Sequence, residues 1–468
     1  MVAASVAVPV LLAALALFAW LGVTARRPAE GIDDFVTARN SQSALTLGIS
    51  FLASGMGAWI LFAPPEIGAF VGLDGVWGYA LAAGAPFAAL ALCGPPLRRA
   101  LPEGHSLSEF ARVRFGAGFH LAVTAISVLY MLTFVAAELT AVGAVAGILT
   151  GASSDLVVLL VAAVTLAYTT VGGLRASLRT DTWQGWLVLA LLGAAAAALL
   201  GGTHEPARAW RESGLVGIDR AGVEVALTLL IAVTAANLFH QGYWQRVWAA
   251  RDDAALRRGG WLGAALTVPV MLVAGALGIV AAGAGLDLGT PAAPFFALLH
   301  GLGPSVGLVV FVLAVALVAS SVDTLQVGLS ALAVSERPRT TLTQARIVTA
   351  VLMVPATLVG LAGTDVLRIF LVADLLATAA VAPALLGLWR GATPAGALAG
   401  LAAGLLGAVA PGVLAAGSLW AGLVASTFPD NVPTLAPFAW SLAASVAVTV
   451  VVSLTNPARG AGRGRTSR

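Results

Sequence analysis

The sequence predicts an all-α polytopic membrane protein of about 13 transmembrane helices, and three observations carry that prediction. Apolar residues fill 59% of the 468 positions and charged residues only 10%, a balance foreign to a water-soluble domain. Apolar runs of spanning length recur from one end to the other. Arginine, which supplies all 25 basic residues, falls almost entirely in alternate connections between those runs.

The runs lie near residues 3–24, 44–69, 75–96, 118–150, 154–172, 183–203, 222–245, 260–286, 304–333, 342–362, 365–388, 395–423 and 434–455. Each is long enough, at about 20 residues or more, for a helix to cross the hydrocarbon core. The first run lacks a basic lead and is followed by Arg26 and Arg27, so it reads as a retained helix and not a cleaved signal peptide. In the second, ISFLASGMGAWILFAPPEIG (49–68), Gly55 and Gly57 lack a Cβ and Pro64 and Pro65 lack an amide donor. Carbonyls there lose helical partners and become free to hold a ligand, or the helix is merely kinked. Residues 97–118 and 204–222 read as loops of about twenty residues. After the fifth run Gly172 and Gly173 end one helix, and Thr180 or Asp181 can cap the next. The tail after Thr455, NPARGAGRGRTSR, reads as disordered, its charge suited to anionic lipid and not to nucleic acid.

With the N-terminus outside, only Arg208, Arg211, Arg220 and Arg368 lie on the outer side, and the other 21 arginines lie on the cytoplasmic side. That split requires an odd number of crossings, a cytoplasmic C-terminus and a multi-pass place in the cell membrane. Cys93 stands alone, so no internal disulfide forms, and the five histidines are scattered without metal-ligand spacing. The second and seventh runs both carry polar interruptions and are five crossings apart, which inverts topology between two halves.

Polar residues inside the runs are the candidates for chemistry. In LVASSVDTLQVGLS (317–330) Ser320, Asp323 and Thr324 share a helix face, with Ser321 about 100° round. The two hydroxyls beside the Leu317 carbonyl cluster hard oxygens, the donors sodium needs; alternatively they bond back to the preceding turn. Asp374, inside the eleventh run, either meets an amino, amidinium or urea group of a solute or pairs with a neighbouring hydroxyl. Glu138 and Glu66 are weaker candidates of the same kind. Asp181, Asp323 and Glu138 suit coupling or gating, with a cap or an ion pair to Arg179 or Arg246 as the plainer reading of Asp181. A solute cavity between the second and seventh runs draws on Ser54, Met56, Trp59, Thr234, Asn237, Phe239, His240 and Gln241.

The stretch YTTVGGLRASLRTDTWQG (168–185) resembles the signature of the sodium/solute symporter family, through Tyr168, Thr169, Gly172, Gly173, Leu174, Ala176, Thr180, Asp181 and Gln184. DDFVTARN (33–40), LSEFARVRFG (107–116) and YWQRVWAARD (243–252) are similar to other family segments in the same order, so the resemblance covers about residues 33–390. It implies a leucine-transporter-type core of two inverted five-helix repeats, 44–203 and 222–388. Residues 1–30 and 389–456 form peripheral helices, and 457–468 a cytoplasmic tail. It also implies that Ser320 and Ser321, with the carbonyls of Ala53, Met56 and Leu317, bind sodium (Na+) as the coupling ion. Gly55 departs from relatives that carry a polar or acidic side chain there.

The expected function is sodium-coupled import of a small polar solute by alternating access, with no covalent chemistry. Asp374 and the polar seventh run favour a nitrogenous solute, an amino acid such as proline or a urea-like amide; HQGYWQR (240–246) is similar to urea-carrier members. The partners are that solute and the lipid bilayer, without nucleic acid, and the sequence leaves the oligomeric state open, a monomer included. The alternatives are a transporter-like sensor, or proton coupling through Glu138, Asp323 or Asp374 to import a monocarboxylate, pantothenate or a sugar.

Overall fold

The computed structural model describes residues 1–25, 31–336, 339–363 and 366–456. Arg26, Arg27, Arg337 and the tail 457–468, counted above for orientation, lie outside them. The described residues form helices α1 (Ala4–Thr24), α2 (Ile32–Thr37), α3 (Ala44–Gly55), α4 (Ala63–Phe70), α5 (Leu73–Ala100), α6 (Leu107–Phe115), α7 (Ala117–Leu149), α8 (Ser154–Gly202), α9 (Pro206–Glu212) and α10 (Arg220–Asn237). They continue with α11 (Gln241–Ala249), α12 (Asp253–Gly283), α13 (Pro294–Ala297), α14 (Pro304–Glu336), α15 (Leu342–Ala362), α16 (Leu367–Leu386), α17 (Pro394–Ala416), α18 (Leu419–Ala425) and α19 (Leu435–Thr455). The expected loops 97–118 and 204–222 thus contain α6 and α9, with Glu109, Arg112 and Arg114 on α6 and Arg208, Arg211 and Glu212 on α9.

Among the described residues 11 helices are long and apolar enough to cross a membrane, and α3 with α4 makes a twelfth, bent by 63°. Helix α8, at 49 residues, would run for about 74 Å, more than twice the hydrocarbon thickness. It divides at Gly173, whose φ of 55° and ψ of −144° are open to glycine and strained for other residues, so it supplies two crossings. The 13 expected crossings are therefore present. Because helix resumes directly after Gly173, Thr180 and Asp181 stand two turns inside it and cap nothing, contrary to the sequence reading.

At the bundle centre, α14 is buried from Val310 to Leu332 almost without interruption and packs on α3, α7, α8 and α11. Helix α3 stops at Gly55. Met56 and Gly57 are extended, a 3-10 turn follows at Ala58–Leu61, and Pro64 and Pro65 start α4, where their missing amides cost nothing. The second interruption falls at Leu238–His240, between α10 and α11. Helices α17 and α19 pack together beside α16.

Candidate functional site

The break after Gly55 is bracketed by two carboxylates from other helices. On one side Asp181 of α8 accepts from Ser50 Oγ of α3 at 2.5 Å and from Ser320 Oγ of α14 at 2.7 Å, tying the last turns of α3 to the serine pair. Its remaining partner is Arg246 of α11, at 2.7 Å, in a pair with no exposure on either side chain. The guanidinium also donates to Ser50 and Thr324. On the other side Glu138 of α7 accepts from the Ala58 backbone N–H at 2.9 Å, immediately past the break. Ser321 faces Glu138, and apart from that approach neither its hydroxyl nor Glu138 Oε1 has a hydrogen-bond partner.

Ser320 is thus linked through Asp181 to Ser50 of α3, and Ser321 faces the glutamate that binds Ala58, so the serine pair lies beside the break, where two features suit a cation. The Ala53 carbonyl receives only a long 3.4 Å contact from the Met56 N–H, and Met56 is extended, so neither is locked into a regular helix. Ser321 Oγ is a buried oxygen with no partner besides Glu138. Asp323 lies apart from this space, held by hydrogen bonds from Tyr168, Ser177 and Thr180 at 2.7 to 2.8 Å.

A cavity of about 770 Å³ opens beside the break. It runs from Gly55 and Tyr243 past Trp59, Tyr79, Tyr130, Phe134 and Phe370 to Gly363, Asp430 and Asn431 in the connections on the face away from most arginines. Trp59 stacks on Tyr79 with centroids 5.6 Å apart, and Phe370 packs on Tyr130 and Phe134 at 5.5 and 5.6 Å. Asp374 Oδ1, Trp59 Nε1, Thr140 Oγ1 and the Tyr130 and Tyr243 hydroxyls are buried here without partners, a density of unmet polar atoms that a ligand would satisfy.

Of the expected solute residues, Trp59, Asn237 and Asp374 line this cavity and Glu66 joins them. Ser54, Met56, Thr234, Phe239, His240 and Gln241 do not. Ser54 bonds back to the Ser50 carbonyl, and Thr234 turns to Ala82 of α5. His240 stacks behind Tyr243 at 4.0 Å. Gln241 points the opposite way and donates to the His105 carbonyl. The aromatic walls escaped the sequence reading, although Tyr130, Phe134 and Glu138 recur at four-residue spacing on one face of α7.

The arginine-rich face beneath the break is closed. Trp248 donates to the Leu101 carbonyl at 2.8 Å, Gln245 to the Val36 carbonyl at 2.6 Å, and Arg39 joins Asp33 to the 102–104 loop. His105 sits between Asp33 at 3.1 Å and Glu109 at 3.2 Å. Its burial opposes the charge, but the two carboxylates outweigh it and raise the imidazole to about 9.

The comparisons agree with this architecture. The model of the sodium:solute symporter family matches residues 35–205. The chain is 30% identical over 361 residues to the spermidine transporter DUR31 of Candida albicans, covering 76% of this chain and 69% of that protein. Among solved structures it is similar to a Na+-coupled sialic acid symporter in a substrate-bound outward-open state, with a TM-score of 0.78 at 16% identity over 96% of this chain and 98% of that one. It is also similar to MhsT in complex with L-phenylalanine, with a TM-score of 0.56 at 16% identity over 89% and 99% of the two chains. The fold is thus the leucine-transporter type, and the chain belongs to the sodium:solute symporter family.

Proposed function

We propose that the chain imports a small organic amine by sodium-coupled symport, with the solute's cationic nitrogen on Asp374. Sodium coupling and a small solute follow from the family. The amine rests on one observation: Asp374 Oδ1 is buried and unpartnered in a cavity whose walls are aromatic. A carboxylate supplies the countercharge, and ring faces attract a desolvated ammonium by about 0.5–2 kcal/mol each. No arginine, lysine or histidine is among the described cavity-lining residues, so the carboxylate of an amino acid, a monocarboxylate or pantothenate would find no cation there. The similarity to a spermidine transporter supports this choice over proline, urea or a sugar.

Sodium held by Ser320, Ser321 and the carbonyls of Ala53, Met56 and Leu317 would pin the broken helix against α14. The cavity, open on the face away from most arginines, would then be the outward-facing state, with the N-terminus outside and the C-terminus cytoplasmic. The two inverted repeats, 44–203 and 222–388, would move against each other. Loss of sodium inward would loosen α3 and release the solute, each ligand favouring the other's binding.

The test is uptake into proteoliposomes under an inward sodium gradient, with amines, urea, proline, monocarboxylates and sugars as competitors. Competition by amines alone, lost in Asp374→Asn while sodium still stabilises the protein, is expected. Uptake of a carboxylate or sugar unaffected by amines would overturn the amine assignment, and uptake driven by a proton gradient without sodium would overturn the coupling. Binding without transport would favour a sensor.

A further inference from the structure

We infer that Glu138 is a direct anionic ligand of the coupling sodium ion, supplying the charge that the serine pair lacks; this rests on the cation site proposed above. A monovalent cation buried in the bundle needs a countercharge as well as neutral oxygens. Among the described residues three buried carboxylates lie on α7, α8 and α14, which pack at the break, and two are committed. Asp181 is neutralised by Arg246 at 2.7 Å and saturated further by Ser50 and Ser320. Asp323 is turned into α8, where three hydroxyls occupy its oxygens. Glu138 has no basic partner among the described residues and is fully buried.

Its position matches the role. Glu138 Oε2 is fixed by the Ala58 N–H at 2.9 Å, leaving Oε1 free. That free oxygen presses on Gly57 so closely that a Cβ built there would stand 1.4 Å from it. The carboxyl therefore lies on the extended residues between Gly55 and Ala58, facing the Ser321 hydroxyl. Two side-chain oxygens that meet only each other, one of them a carboxyl oxygen, border the uncoiled backbone from α7 and α14. A cation among them would bind α7, the broken helix and α14 into one unit, so Glu138 would report the state of the break to the helix that carries Tyr130 and Phe134 in the solute cavity.

Glu138→Gln separates this role from a structural one, because the amide oxygen still accepts from Ala58 while the charge is gone. The full-length protein in detergent is titrated with sodium chloride, choline chloride holding ionic strength, and the thermal midpoint and amine uptake are read. We expect a midpoint without sodium close to wild type and a sodium concentration for half-effect raised by about tenfold or more. At saturating sodium the half-saturating amine concentration should be unchanged. Glu138→Asp, which keeps the charge on a shorter arm, should give a smaller shift, and it serves as the test if the glutamine variant does not fold. An unchanged sodium half-effect in either variant overturns the assignment. A wild type indifferent to sodium would instead overturn the symport reading, and this one with it.

Discussion

Replacing Gly57 by alanine probes the contact between the broken helix and α7. The backbone there, φ −108° and ψ −176°, is open to alanine, so the cost comes from packing. The added Cβ would lie 1.4 Å from Glu138 Oε1 and 2.1 Å from its carboxyl carbon, where ordinary contact begins at 3.4 Å. The carboxyl must withdraw by about 2 Å, beyond what the 2.9 Å bond to the Ala58 N–H can follow. Losing this hydrogen bond and leaving its donor buried costs about 1–3 kcal/mol, the penalty of an unsatisfied buried group. Thermal unfolding in mild detergent should show the loss, and sodium should restore less of it than in wild type. Adding Glu138→Ala should recover part of the loss, since the methyl then enters vacated space and the two changes are not additive. A Gly57→Ala protein as stable and as sodium-responsive as wild type would refute the contact.

Two further outcomes follow from the same geometry. Asp181→Asn leaves Arg246 buried without its countercharge and should destabilise by about 3–5 kcal/mol, with Arg246→Met in the same chain recovering most of it; equal stability of the single and double variants would contradict a buried pair. At the closed face His105 is raised from 6.5 to about 9, so its ion pairs with Asp33 and Glu109 are intact below about pH 6.5 and fade as pH rises through about 9. The alkylation rate of Gln42→Cys in a Cys93→Ala background, divided by the rate in the same chain carrying His105→Gln so that thiol ionisation cancels, should therefore rise toward one as pH approaches 9.

How far the sequence revealed the molecule depends on the range of the interactions. The break at Gly55–Gly57 was legible because glycine and proline act on the backbone within a few residues, and the 13 crossings because hydrocarbon thickness sets a length. The second crossing in α8 hangs on Gly173 alone and was equally readable. Contacts between distant segments were not. The Ala58–Glu138 bond spans 80 residues and Ser50–Asp181 spans 131, so the paired role of these carboxylates emerges only once α3, α7 and α8 are packed. The solute wall was misplaced for a related reason. Helix α11 turns Gln241 toward the closed face, while the cavity borrows Phe370 and Asn431 from elements late in the chain.

The most direct measurement is equilibrium binding of radiolabelled sodium to the purified protein. Saturable binding in wild type that disappears in the Ser320→Ala, Ser321→Ala double variant, whose thermal midpoint without sodium stays near wild type, is the predicted result. Undiminished sodium binding by that folded variant would contradict a cation held between the uncoiled segment and the serine pair.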